Sequence, residues 1–459
     1  MPQPDSSTHK AGHALDPALP TPRRAPIGWL LAGFALVMVV AAVLYLDKAA
    51  ENRSAFVRWI HLIQGLVAGR NVYQTASYPN PPLMALVLYP LTLLPPLAGA
   101  MAWFLCKVIM AFIALVLAIR MAVGSNRRMP AIGVLVVGLV SLRPLLGDLQ
   151  HGNINILILF VVVLSLWAYR AGHDWLAGLG IALGTTFKVT PALFIPYFAW
   201  KRQWRVVGGA LIGLVLFLLV IPGVVLGMRH NARLLRSWVQ LMVEPYVVRG
   251  EVETRQVNQS LPGVLYRLTT DSPGIEFEDD IVTRVNLVRL SKRQAWWLLR
   301  VLIIGILAWL AFVCRTPTTD RRDWRLVAEF SLILLAMLFL SERSWKHHYV
   351  SVCVPVAVVT AQWLLRTRSR RTRRLLAASL AAVFVLMALT SPELAAWLGP
   401  GGYGHKYMQA GGAFFWSGVV LFCTVSALLL QARDAADTCA DIKRITNRSV
   451  RPMTLSDAA

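Results

Sequence analysis

The chain has 459 residues, of which 56% are hydrophobic and only 15% charged, against about a quarter charged in soluble domains, and this excludes a soluble globular protein. The net charge of +23 does not point to nucleic acid, because Lys and Arg gather in short loops between apolar runs, the pattern that retains such loops in the cytoplasm. Cys106, Cys314, Cys353, Cys423 and Cys439 are scattered, with neither metal-ligand spacing nor a disulfide framework.

In chain order, residues 1–27 are polar, proline-rich and basic at Arg23 and Arg24, and are expected to form a cytoplasmic tail. The run from Ile27 to Leu46 lacks a small-residue cleavage site and is expected to be an uncleaved first span. Apolar runs near bilayer-crossing length predict spans at about 28–46, 97–122, 130–146, 153–169, 205–227, 294–314, 325–341, 349–365, 374–391 and 412–431. Two further segments are interrupted. "PPLMALVLYPLTLLPP" (81–96) is short and broken by prolines, and "WLAGLGIALGTTFKVTPALFIPYFAW" (175–200) carries Lys188 and Pro191. Each reads as a broken or re-entrant element, tolerable only where protein or a wet cavity surrounds it. The expected fold class is an all-α polytopic membrane protein of about 10–13 transmembrane or re-entrant helices, with its membrane domain over 28–431 and a cytoplasmic tail over 432–459.

Four connections are strongly basic: "SNRRM" near 127, "KRQWR" (201–205), "RTPTTDRRDWR" (315–325) and "RTRSRRTRR" (366–374). Placing all four in the cytoplasm puts both termini there too. The outer loops then fall at about 47–80, 147–152, 228–293, 342–348 and 392–411. Within the first of these, "SAFVRWIHLIQGLVAG" (54–69) has helical apolar spacing and reads as a helix lying in the interface plane.

Polar motifs concentrate on the outer side. "GDLQHGNIN" (147–155) supplies Asp148, His151, Asn153 and Asn155, and Asp148 with His151 exceeds what a turn requires. Lys188 lies in a segment otherwise fit for hydrocarbon, where a lysine is costly unless it faces a cavity or pairs with an anion. "RQVNQSLPGVLYRL" (255–268) brings Asn258, Gln259 and Ser260, suited to sugar hydroxyls, between Arg255 and Arg267, suited to phosphate oxygens. "SERSWKHHYV" (341–350) packs acid, base and proton-transfer groups into ten residues, with His347 and His348 able to carry a proton or contact phosphate near neutral pH. No glycine-rich phosphate loop or dinucleotide fingerprint occurs, so no cofactor and no metal is expected.

"LVAGRNVY", "YPNPPLMALVLYPLTLLP", "HGNIN", "FKVTPALF", "NQSLPGVLYR" and "SWKHHYV" occur in this order over roughly residues 60–360. Together they resemble glycosyltransferase family 87, the polyprenyl-phosphate-mannose-dependent mannosyltransferases of the GT-C superfamily. The resemblance implies a GT-C-like fold in the plasma membrane, with an outward-facing site, a polyprenyl-phosphate sugar donor and a glycan or glycolipid acceptor. It also implies a catalytic aspartate in the first outer loop and a donor-phosphate contact at His348. The chain departs from that pattern, because Ser54 or Ala55 stands where the aspartate is expected. Asp47, with Glu51 behind it, is then the expected base, and Lys188, Arg267, His347 and His348 the expected donor-phosphate groups. A secondary transporter shares the intramembrane lysine and broken helices, but the two halves show no internal repeat. A non-catalytic lipid-binding relative of the same fold is the other alternative.

Overall fold

The computed structural model describes residues 27–74, 78–124, 127–277 and 282–449. The tail expected over 1–27 lies outside them except for Ile27, as do residues 450–459 of the tail expected over 432–459.

The first half comprises α1 (Ile27–Ala50), α2 (Ala55–Val67), α3 (Pro82–Thr92), α4 (Pro96–Val123), α5 (Ala131–His151), α6 (Asn155–Arg170) and α7 (Asp174–Phe187). Next come α8 (Phe194–Trp200), α9 (Trp204–Val215), α10 (Ile221–Leu226), α11 (Met228–Met242), α12 (Glu244–Val247), α13 (Leu261–Thr269) and α14 (Lys292–Val313). The last described helices are α15 (Trp324–Phe339), α16 (Cys353–Ala361), α17 (Arg370–Ala388), α18 (Pro392–Ala395), α19 (Gly404–Ala410) and α20 (Ala413–Ser449). Among the described residues the only strands are a short antiparallel pair, Ile275–Glu276 with Val282–Thr283.

Among the described residues seven helices are long and apolar enough to cross a membrane, or eight if the bent pair Arg370–Ala388 and Pro392–Leu398 is one span. This is an all-α, multi-pass membrane protein. Full-length spans are fewer than the ten to thirteen elements expected, because several of those elements are short. With 16 residues each, α6 and α15 rise only about 24 Å, less than a hydrocarbon core of roughly 30 Å. Position in the bundle follows composition. Leu36, Val39, Val40 and Val43 of α1 and Val301 and Ile304 of α14 are exposed, as side chains that meet lipid should be. By contrast α15 is buried at every residue from Leu326 to Phe339, the place for a helix that is apolar all round.

The interrupted segment over 175–200 is a re-entrant hairpin. Its first arm, α7, has 14 residues and climbs about 21 Å. The chain then breaks at Lys188, whose backbone is extended (φ −156, ψ 131). It turns through the 3-10 segment Thr190–Leu193 and returns as α8. One arginine ties the two feet of the hairpin together: Arg321 Nη2 donates to Asp174 Oδ2 (3.1 Å) and to Gln203 Oε1 (3.3 Å). Small residues let α9 lie directly on α7. A Cβ at Gly178 would meet the Val206 carbonyl at 2.2 Å, and one at Gly213 would meet Ala182 at 2.6 Å, the close approach that membrane helices use in place of a hydrophobic drive. Lys188 is therefore carried at the tip of a braced hairpin.

The basic connections meet at one end of the bundle. Arg127 donates to the Leu365 carbonyl (2.7 Å), Arg366 to those of Ala122 (3.0 Å) and Val123 (2.8 Å), and Arg170 to that of Arg322 (2.8 Å). Lys201 closes the same end through the buried Glu329 carboxylate (2.9 Å). At the opposite end, the apolar face of α2 (Phe56, Trp59, Ile63, Leu66) is buried, and Gln64 fixes it to the Thr92 carbonyl (2.8 Å). Trp238 of α11 donates to the Pro79 carbonyl (2.9 Å), drawing the 228–293 loop over the first outer loop.

Candidate active site

The turn between α5 and α6 builds the floor. At Gly152 the backbone is left-handed (φ 72, ψ 17), and a Cβ there would sit 2.3 Å from Ser54 Oγ, so glycine is required both by conformation and by space. Asp148, one turn earlier, is fully buried. Its Oδ1 accepts from Asn155 Nδ2 (2.9 Å) and its Oδ2 from the Ile156 N–H (3.3 Å), which satisfies donors left open at the start of α6. Lys107 of α4, also fully buried, donates to the Asp148 carbonyl (2.6 Å) and stands 3.5 Å from Oδ2. Asn155 passes the connection on, its Oδ1 accepting from Lys188 Nζ (3.3 Å). A continuous polar chain thus runs Lys107–Asp148–Asn155–Lys188 from α4 to the hairpin tip. Sequence reasoning missed Lys107, although a lysine within "WFLCKVIM" is the same signal that singles out Lys188.

The second wall is the "SERSWKHHYV" segment, and the "NQS" cluster holds it. Asn258 donates to the carbonyls of Glu253 (2.9 Å) and Glu342 (3.0 Å) and accepts from the N–H groups of Ser260 (3.1 Å) and Ser344 (3.0 Å). The Gln259 N–H donates to the Ser344 carbonyl (2.7 Å). Its side chain donates to Gln256 (2.7 Å) and Gln409 (2.7 Å) and accepts from the Phe414 N–H (3.1 Å). Ser260 caps α13 and donates to the Glu342 carbonyl (3.3 Å). All three side chains spend their donors on backbone. Arg267 is fully buried, its guanidinium facing the carbonyls of Thr254, Arg255, Asn258, Gln409 and Ala410 at 2.7–3.4 Å. Burial pushes Arg267 down to about 10, which still leaves it charged at neutral pH. Sugar and phosphate roles were expected of these four; in the structure they staple the loop, because buried donors must be satisfied wherever they lie.

Held this way, the loop meets the turn through aromatic and imidazole contacts. The His151 and His347 rings stack with centroids 4.6 Å apart. Asn153 Oδ1 accepts from the Ile154 N–H (2.8 Å), so its amide nitrogen faces His347 Nε2 at 3.2 Å. That nitrogen is then an acceptor and the His347 ring is neutral. His348 Nδ1 lies 3.2 Å from both the Trp345 N–H and the Arg343 carbonyl; accepting from the N–H leaves it unprotonated and puts the ring proton on Nε2, whereas donating to the carbonyl does the reverse. Its Nε2 has no hydrogen bond among the described residues.

Between turn, hairpin tip and loop runs a narrow crevice. Asn155, Lys188, Thr190, Ser344, His348 and Ser351 form its polar part, and Leu159, Leu334, Met337 and Leu338 are among its apolar wall. Ser351 Oγ is buried without a partner. Asp148 is joined to Lys188 through the Asn155 amide, and Glu342 lies on the same loop as His348. The crevice encloses only ≈ 30 Å³, about the room of one water, so admitting an anionic head requires the hairpin tip and the loop to part; its ammonium, imidazole and three hydroxyl residues then face that head. No group of three or more His, Cys, Asp or Glu placed to hold a metal occurs among the described residues.

The expected acids are not brought to this crevice. Asp47 is exposed, on the side of α1 opposite the buried Tyr45 and Ala49. Glu51 pairs with Arg53 (2.7 Å), both side chains more than half exposed. Ser54 is buried, bonded to the Tyr45 hydroxyl (2.9 Å), and lies against Gly152.

Residues 78–341 match Glycosyltransferase family 87. A polyprenol-phosphate-mannose-dependent alpha-(1-2)-phosphatidylinositol mannoside mannosyltransferase of Mycobacterium tuberculosis (strain H37Rv) is 28% identical over 326 residues, 68% of each chain. The corresponding phosphatidylinositol pentamannoside mannosyltransferase of M. tuberculosis (strain CDC 1551) is 26% identical over 64% of this chain and 60% of its own. A phosphatidylinositol mannoside mannosyltransferase of Mycolicibacterium smegmatis is 26% identical over 53% of this chain and 49% of its own. The chain thus spans between about half and two thirds of the length of these curated relatives. No solved structure matches.

Proposed function

This chain belongs to glycosyltransferase family 87, and from that premise we propose that it moves a mannosyl unit from a polyprenyl-phosphate carrier to a glycolipid acceptor, as the names of its relatives describe for them. The observation that carries the proposal is the crevice, with Lys188 and the open Nε2 of His348 at its polar part and an apolar wall beneath. In the transfer, an acceptor hydroxyl attacks the anomeric carbon as the carbon–oxygen bond to phosphate breaks. The electron pair stays with the lipid phosphate, whose negative charge grows. In this reading Lys188, and His348 in the tautomer whose Nδ1 accepts from the Trp345 N–H and whose Nε2 carries the proton, donate to the departing phosphate and stabilise the transition state more than the ground state. A single displacement inverts the anomeric centre.

The acceptor's proton goes to a carboxylate. We assign it to Glu342, which lies on the loop that carries His348 and whose backbone is held by Asn258 and Ser260. Asp47 and Glu51 are the competing assignments. The site faces the side opposite the basic loops, which the positive-inside rule makes the extracytoplasmic side.

Membranes bearing the wild type, incubated with radiolabelled polyprenyl-phosphate mannose, should yield a labelled glycolipid. Glu342→Gln should lower transfer about 10²–10⁴-fold, the range of a lost general base, while donor binding survives. Asp47→Asn and Glu51→Gln should be silent. Loss of transfer in Asp47→Asn instead would move the base to the outer end of α1. Binding without transfer by the wild type, across a panel of lipid-linked sugars, would favour the non-catalytic relative, a reading that Ser54 in place of an aspartate supports.

A further inference from the structure

At the end of the bundle away from the crevice, a cleft of ≈ 700 Å³ opens between the ends of α4 and α6, the start of α5 and the 315–325 connection. Arg120, Arg127, Arg128, Arg170 and Arg322 all line it. Two are braced against backbone: Arg127 on the Leu365 carbonyl (2.7 Å), and Arg170 on those of Asp323 (3.1 Å) and Arg322 (2.8 Å). The side chains of Arg120, Arg128 and Arg322 make no hydrogen bond or ion pair among the described residues. The nearby acids are engaged. Asp323 holds Arg325 (2.7 Å), and Asp320 accepts the Arg322 N–H (2.9 Å). The rest of the lining is apolar, with Ile119, Val134 and Trp167 among it; Val134 and Trp167 are exposed, on helices that meet lipid.

We propose that this cleft binds the headgroup of an anionic phospholipid, with the arginines on its phosphate oxygens and an acyl chain along Val134 and Trp167. The positive-inside rule accounts for arginines in this connection, but it asks only for charge near the membrane. It does not ask for five guanidinium groups lining one concavity beside an apolar wall. Three of them make no ion pair among the described residues, and guanidinium forks match phosphate oxygens geometrically. Basic pockets between helices at this face are the kind of site that retains anionic lipid. The site lies at the opposite end from the crevice, so its occupant is a bilayer lipid distinct from the sugar donor.

The test uses the full chain in nanodiscs of neutral phosphatidylcholine with a minor fraction of phosphatidylglycerol, and native mass spectrometry to count retained anionic lipid. Arg120→Gln/Arg128→Gln removes two exposed, unpaired charges from the cleft. Arg371→Gln/Arg373→Gln removes the same charge from another basic loop, at exposed residues outside the cleft. The cleft pair should lower retention about ten- to thirty-fold, at roughly 1 kcal/mol per basic residue, and the loop pair should leave it unchanged. Unfolding temperature in pure phosphatidylcholine should be the same for all three proteins. Equal losses from both pairs would reduce the cleft to general surface charge and overturn the proposal. Unchanged retention in the cleft pair would overturn it too.

Discussion

Lys107→Met tests whether the polar chain under the crevice is one coupled unit. The substitution removes an ammonium that donates to the Asp148 carbonyl at 2.6 Å, stands 3.5 Å from its carboxylate and reaches the Leu149 carbonyl at 3.4 Å. Asp148, fully buried, would keep only Asn155 Nδ2 and the Ile156 N–H. Leaving one member of a buried ion pair costs about 3–5 kcal/mol. The two remaining donors place this case near the lower figure, roughly a hundredfold in the folding equilibrium. Lys107→Met/Asp148→Asn removes both charges and keeps an acceptor for the Ile156 N–H. It should recover most of the loss, giving a coupling energy of about 2 kcal/mol or more in a double-mutant cycle. Equilibrium unfolding in mixed micelles, followed by tryptophan fluorescence, reads all four proteins. Single-mutant costs that simply add would show that Lys107 and Asp148 are independent and that the chain is not a unit.

Asn258→Ala should cost about 1–3 kcal/mol, since it strands the N–H groups of Ser344 and Ser260, and should depress transfer further than stability by releasing His348. Wild-type transfer by a stably folded Asn258→Ala protein would remove the staple from the account. In a cysteine-free background, Glu251→Cys should label from outside the cell and Arg371→Cys only after the membrane is opened. Labelling of both from outside would invert the topology.

Much of the architecture is legible because a bilayer constrains composition so strongly. Long apolar runs must be helices, and basic loops must share an end. The hairpin over 175–200 is legible for the same reason, since Lys188 and Pro191 cannot sit in a plain span. What hydropathy does not resolve is length. A 16-residue buried helix such as α15 and a full span both register as apolar runs, so hydropathy counts elements without telling full crossings from short ones.

The site divides along similar lines. Lys188, Asn155 and His348 stand out as groups with no reason to be at a membrane boundary, and the fold gathers them in one crevice. Lys107 carries the same signal but is diluted within the 28 residues of α4. The amides of Asn258 and Gln259 suggest sugar recognition from residue type alone. Type cannot say whether a donor meets a ligand or a carbonyl brought from residue 342 or 409. Asp47 is chosen by nearness in sequence to an expected acid, whereas helical periodicity turns it away from the face that Tyr45 buries.

The central claim is that the crevice between Asn155, Lys188 and His348 holds the donor's phosphate with its lipid along the apolar wall. A polyprenyl-phosphate mannose analogue carrying a photoreactive group on its first isoprene unit tests it most directly. Irradiation of the bound wild type should attach the label to peptides containing Leu159, Leu334, Met337 or Leu338, with labelling suppressed by excess natural donor and by Lys188→Met. Labelling confined to other helices, or undiminished by Lys188→Met, would contradict the assignment of the crevice.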